Sequence, residues 1–404
     1  MFDGSSHLRT SARSLKITGT LLPGIETDVS WYSVRLWAMR LGCYELSRPK
    51  EKADDWVWII DHSIQLSCEK CLVIVGFRLS TYERTRGPLQ HRDLSLISLE
   101  VVEQSNGAVV CGQLQKAADK TGVPRAVIHD HGSELKAGVG KFQNLHPETA
   151  GIYDIKHKTA LEIKHRLEQD ARWDAFNKTA AGIDKRLRQT DYAHLIPPKL
   201  RNKARYMNLD SRVKWAQRML KLMDTADEER CKELEPRIGA LKSYREDIQR
   251  WSEMLTVTGY VENFSRRRWL SRDCEIQLSQ GLSASVPVQY AENQALQQNL
   301  TAFIREQSSA CREGEYLPNS SEVLESLFGK QKYLEGEHSN RGFSGLVLSI
   351  GAMVSDLSAA VIKKAMETVS VKRVIEWRKE FPGPTLQAKQ INTNSILGAE
   401  QKAT

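Results

Sequence analysis

The chain has 404 residues, 40% hydrophobic and 27% charged, with 58 Lys and Arg against 50 Asp and Glu for a net charge of +8. That length holds two or three domains with a sizeable core, and the composition is that of a soluble globular protein. Seven Cys, an odd number spread over the chain, exclude a disulfide framework and point to a reducing, cytoplasmic setting.

Cys68 and Cys71 form a CxxC with no second pair at zinc-finger spacing, so structural zinc is not expected. The first residues are polar and lack the apolar core of a signal peptide. The late apolar stretch Gly345 to Ile362 contains Asp356 and several Ser, so it predicts a buried helix rather than a membrane span.

In chain order, residues 1–50 predict a small helical unit. Ser11 to Leu21 is helix-compatible, Pro23 and Gly24 break it, and Asp28 or Ser30 caps a second helix, Trp31 to Leu41, that Gly42 ends. With Arg35 and Arg40 on that second helix, the pair suits a helix-turn-helix that enters a DNA groove. A hairpin that merely packs on the next domain fits equally well.

Residues 51–164 switch to strands. Trp56 to Ile60 is a dense run of β-formers ending at Asp61, Lys70 to Leu79 is a second, and Asp93 to Val102 a third. Asn106 to Lys120 reads as a helix. Ala126 to Ile128, flanked by Pro124 and Gly132, is a short buried strand ending at Asp130. Gly151 to Ile155 makes a fifth strand leading into a helix from Lys158. The expected fold is α/β, a mixed five-stranded sheet with flanking helices.

From 165 to about 310 the chain is helical and charged, broken near Pro197–Pro198, Gly239 and Gly259. Between Lys156 and Arg218 stand sixteen Lys and Arg against seven acids, interleaved with Trp173, Tyr192, Tyr206 and Trp215. Concentrated positive charge with aromatics suits a polyanion surface, with Lys185, Arg186, Arg188, Lys199, Arg201, Lys203 and Arg205 as phosphate contacts. Arg266, Arg267 and Arg268 repeat the signal. The alternative is a solvated helical face.

Residues 311–352 return to the core, and 353–404 form a helical tail. Pro318 opens a helix in which Asn319 and Glu322 resemble a capping box, and Val323, Leu324, Leu327 and Phe328 form the buried stripe. Glu325 lies at the stripe's edge, better placed than Glu322 to reach a sheet.

Asp61, Asp130 and Glu325 thus offer three carboxylates from two strand ends and a helix. Crowded together they would force protonation unless a counter-charge intervened. Two Mg²⁺ or Mn²⁺ ions remove that conflict, because hard cations take oxygen ligands and a pair of them suits displacement at phosphorus.

The same stretches carry a family resemblance. VIHDHGSE resembles the second-aspartate motif of retroviral integrases and bacterial insertion-sequence transposases, SEVLESLFGKQK their glutamate helix, and WVWIIDHSIQL their first strand. His131 stands where the family usually has Asn. The resemblance is to the DDE transposases, and it implies an RNase H-like core split by a helical insertion, with Asp61, Asp130 and Glu325 as catalytic metal ligands. It implies nicking of element ends and 3′-OH strand transfer into target DNA, by a dimer or higher oligomer associated with the nucleoid. Lys330 and Lys332 would contact the DNA backbone beside the site. A nuclease of the same fold that does not join strands, or a DNA-binding protein derived from a transposase, are the alternatives. For Asp154 and His157 a structural role is expected, and for His129 and His131 ordinary packing or solvation.

Overall fold

The computed structural model describes residues 6–22, 28–66, 69–82, 87–199, 209–336 and 345–380. The chain divides into two compact units, one made of Met1–Ile152 with Ser321–Thr404, the other of Tyr153–Ser320.

The first unit is built on a five-stranded mixed sheet in the order β3-β2-β1-β4-β5. Its strands are β1 (Trp56–Leu66), β2 (Glu69–Arg78), β3 (Ser95–Val102), β4 (Ala126–His129) and β5 (Ala150–Tyr153). β1 and β2 are antiparallel neighbours, as are β2 and β3, while β1 and β4 run parallel. The parallel pair needs a crossover, which β3 and helix α3 below provide.

Helices α1 (Leu8–Leu21) and α2 (Trp31–Ser47) precede the sheet. Ser30 caps α2 by accepting from Ser33 N at 3.1 Å. Between β3 and β4 lies α3 (Gly107–Thr121), whose N-cap Asn106 accepts from Ala108 N and Val109 N. It stops at Gly122, held at φ +85 where a Cβ would also meet the Ala53 backbone. Helix α4 (Ser133–Leu145) follows β4 directly. The sequence signals only a Gly132-Ser133 turn here, and the helix begins at Ser133 itself.

Alternation along the strands splits the core in two. Trp58, Ile60, Leu72, Ile74, Ile97 and Val127 point to the face covered by α3 and α4, where they pack with Val110, Leu114, Val139 and Phe142. Each fully buried large side chain here is worth about 1.5–3 kcal/mol of transfer free energy.

The opposite face is covered by helices from both ends of the chain. After the second unit come α12 (Glu322–Gly336), α13 (Ser349–Val354), α14 (Ala359–Thr368) and α15 (Val371–Glu380). α13 lies against α2, and both pack on β3. Their contact is close because Gly42 and Gly351 meet: a Cβ on Gly42 would lie 1.7 Å from Leu348 O. Gly42 was expected to end the second helix. Instead α2 runs five residues past it, to Ser47, and the glycine serves as a site of helix contact.

The N-terminal helices therefore do not stand apart as a groove-reading unit. Val34, Ala38, Met39, Leu41 and Cys43 of α2 are buried, and α14 and α15 also lean on α2. The Arg40 guanidinium donates to Val369 O at 2.6 Å and to Met366 O, closing the end of α14. Arg35 is half-buried, and burial together with Arg378 lowers its pKa.

At the end of α2, Glu45 and Lys50 form an ion pair whose side chains are each 2% exposed, with Nζ 3.0 Å from Oε1. Arg48 donates to the same carboxylate. Burial pulls the Lys50 pKa down to about 8 against the attraction of Glu45. An unfolded lysine holds its proton to about pH 10.4. Between the two values the folded chain binds fewer protons, so this group adds stability as pH rises from about 8 towards 10. Thermal unfolding at pH 7.5 and 9.5 should show the gap in Tm between Lys50→Met and the unaltered chain shift by a few degrees, in favour of the unaltered chain at the higher pH.

The second unit is helical, with α5 (Ile155–Glu168), α6 (Ala171–Leu187), α7 (Asp210–Thr225), α8 (Glu228–Ile238), α9 (Arg245–Arg268), α10 (Cys274–Ser285) and α11 (Ala291–Ser308). Its core is aromatic: Trp173, Phe176, Tyr244 and Trp251 meet with ring centroids 4.8–5.6 Å apart. The fully buried Asp154 caps α5 by accepting from His157 N at 2.9 Å. Among the described residues no helix is long and apolar enough to cross a membrane.

Candidate functional site

The parallel register of β1 and β4 pairs Val57 with Ala126, Trp58 with Val127 and Ile59 with Ile128. Two residues past the last of these pairs come Asp61, still within β1, and Asp130, one residue beyond the end of β4. The paired strands themselves lie about 4.8 Å apart. Alternation puts Asp61 on the face of Val57 and Ile59, away from α3 and α4. Asp61 lies inside β1, not at its end as the sequence suggested, because β1 continues to Leu66 paired only with β2. β4 ends at His129, so Asp130 opens the turn into α4.

Local hydrogen bonds fix both carboxylates. Asp61 Oδ1 accepts from His62 N at 2.6 Å, and Asp130 Oδ1 accepts from Gly132 N at 3.1 Å. The second is an Asx turn, which Asp forms readily in a loop leading to a helix.

Helix α12 approaches the same sheet face. It packs on α13 and against β1, burying Val323, Leu324, Leu327 and Phe328 as the helical stripe predicted. Glu325 sits at the edge of that stripe and is half-buried. The helix begins at Glu322, so Ser321 flanks it, and Leu324 N and Glu325 N bond to Ser321 O. The capping box expected from Asn319 is not made: its side chain is buried with neither amide atom hydrogen-bonded.

The donor set of Asp61, Asp130 and Glu325 is all carboxylate oxygen, which fits a hard divalent cation and no softer metal. Alternation turns Asp61 to one sheet face, α12 packs against β1, and Asp130 follows the end of the neighbouring β4. Among the described residues, however, no group of three or more His, Cys, Asp and Glu already stands at metal-holding distance.

On the other sheet face, His62, Lys70, Ser105 and Glu134 form a cluster that was not expected from the sequence. Lys70 Nζ lies 2.6 Å from Glu134 Oε1, joining β2 to the start of α4. Burial pushes the Glu134 carboxyl up, but Lys70, His62 and Ser105 outweigh it and hold it below the usual range. Burial lowers the His62 pKa, against the pull of Glu134 and Asp130. Sequence adjacency was the available signal: His62 follows Asp61, and Glu134 closes the HDHGSE run. His129 is buried, its ring stacked on that of the exposed His131 with centroids 5.4 Å apart. Cys71 is a buried free thiol, raised in pKa by burial. Cys68 lies outside the described residues.

Lys330 of α12 lines a cavity of about 630 Å³ together with His91, Arg92, Glu322 and Asp356. Burial and the Lys330 ammonium depress the His91 pKa. Lys332 is exposed, its ammonium 5.9 Å from the Phe328 ring centroid.

In the second unit the basic segment carries less available charge than its count suggests. Lys158, Lys164, Arg166, Arg172, Arg188 and Lys214 are held in carboxylate pairs. Arg212 is buried, bonded to Asn177 and Pro198 O. Trp173 and Trp215, read as part of a polyanion surface, are core residues at 3% and 2% exposure. Lys185, Arg186 and Lys199 are exposed, Arg186 donating to Arg237 O. Arg266, Arg267 and Arg268 are exposed on the last turn of α9, where cations also suit the helix dipole. Arg201, Lys203, Arg205 and Tyr206 lie outside the described residues.

No family model matches the chain, and no curated protein matches it.

Proposed function

We propose that the chain is a metal-dependent DNA transposase with an RNase H-like core, acting through Asp61, Asp130 and Glu325. The observation that supports it best is the β1–β4 register, in which Asp61 and Asp130 each follow the last parallel pair by two residues, next to a strand that α12 packs against. Carboxylates from β1, from the turn after β4 and from α12 would form a cation site from elements far apart in sequence. A pair of Mg²⁺ or Mn²⁺ ions bound there would supply charge neutralisation at the attacking and leaving oxygens.

The chain's residues would hold both reacting strands in line. In the first step water oxygen bonds to phosphorus at the element end, the bond to O3′ breaks and a 3′-OH is released. In the second that hydroxyl attacks a target phosphate, forming a new phosphodiester and expelling the target's own O3′. The cations of α12 and the exposed arginines of α9 would bind the DNA backbone.

The test is incubation of labelled duplex from the flanking element ends with the chain and Mg²⁺ or Mn²⁺. Nicked and joined products are expected, absent with chelator. Cleavage without joining would favour the nuclease, and salt-sensitive binding with no cleavage would overturn the enzymatic reading. If the α9 cluster contacts phosphate, changing Arg266, Arg267 and Arg268 together to Ala should lower the slope of log K against log salt by about 3.

A further inference from the structure

A second cavity in the first unit, of about 450 Å³, lies at the end of the sheet where β1 begins, away from the Asp61–Asp130 end. Among the described residues its wall contains five cations, Arg48, Lys50, Lys52, Lys120 and Arg373, and no carboxylate, with Trp377 and Leu46 giving it an apolar side.

Ordinary stabilisation does not account for that charge. Glu45, buried behind the wall, neutralises one unit through Lys50 and Arg48. The C-termini of α2 and α3 each contribute about half a negative charge. About three positive charges remain in excess. Lys50 has a side chain only 2% exposed and gives two of its three donors to Glu45, leaving one without an acceptor among the described residues. Lys120 bonds to Ile97 O, and Lys52 and Arg373 are exposed at the rim. Gathering these cations around the desolvated Lys50 is costly unless an anion completes the site.

We propose that this cavity is a phosphate-binding site, distinct from the carboxylate site, that takes either a backbone phosphate of DNA or a free phosphate compound. The inference rests on the cavity alone and not on the transposase reading. Arg373 and Lys52 at the rim supply the first contacts, and Lys50 the buried donor.

The test uses the full chain and metal-free pyrophosphate, titrated by calorimetry at low salt. The unaltered chain should bind it, and Lys52→Ser with Arg373→Ser should weaken it at least about tenfold. Lys52→Arg with Arg373→Lys should restore it, which separates charge from folding. No binding by the unaltered chain, or equal affinity in the Ser pair, would overturn the proposal. Duplex DNA then distinguishes the sources. A salt slope lower by about 2 in the Ser pair identifies a backbone phosphate. An unchanged slope with pyrophosphate binding lost identifies a free phosphate compound. Pyrophosphate binding by a chain that binds no duplex would support this site while counting against the transposase.

Discussion

Asp61→Asn and Asp130→Asn should each lower metal-dependent cleavage and joining by about a thousandfold or more while leaving duplex binding within a few-fold. The substitution is nearly isosteric. In both side chains the Oδ1 that accepts from His62 N or Gly132 N survives in Asn, so the local bond within β1 and the Asx turn persist. What is lost is one unit of negative charge, the property that holds a divalent cation. Removing one of the two negative charges should leave stability in metal-free buffer unchanged or raise it by up to about 1 kcal/mol. Loss of activity with unchanged or increased Tm would separate a chemical role from a structural one. Retained activity in either variant would refute the assignment, and Glu325→Gln tests the helix in the same assay.

Gly42→Ala should have the largest effect on folding, about 3 kcal/mol or more, seen as a lower denaturation midpoint and reduced soluble yield. A methyl group there would lie 1.7 Å from Leu348 O, which is backbone and cannot rotate aside. Relief requires α2 to separate from α13, and both helices cover the same sheet face. Gly112→Ala in α3 is the control: it is helical, a Cβ would meet nothing within 4 Å, and the change should stabilise by up to about 1 kcal/mol. Equal behaviour of the two variants would mean that α2 and α13 do not approach as described.

The strands were legible because β1, β2 and β3 are long runs of branched and aromatic residues, and the helix stripe of α12 because its apolar spacing is regular. Asp130 was legible as an acid at a strand end, but Asp61 was not, because β1 runs on to Leu66, and register is a property of two strands at once. The α12 cap failed because Asn319 has the right side chain, while the helix starts later. The basic segment misled for a different reason: composition counts charges but not partners, and Arg212, Trp173 and Trp215 all turn inward. Helix α4 was lost behind the Gly132-Ser133 turn, and the packing role of Gly42 behind the usual meaning of a glycine near a helix end.

The first unit is discontinuous in the chain, and that has a consequence for its birth on the ribosome. The sheet and α2 emerge first, yet the helices that cover their second face follow Tyr153–Ser320. At about 5–20 residues per second, roughly ten to thirty seconds separate the two halves. During that interval α2 and one side of the sheet lack α12 to α15, a period in which chaperone binding or aggregation competes with folding. The same order withholds Glu325 until synthesis is well advanced, so a nascent chain bearing both aspartates still lacks the third carboxylate.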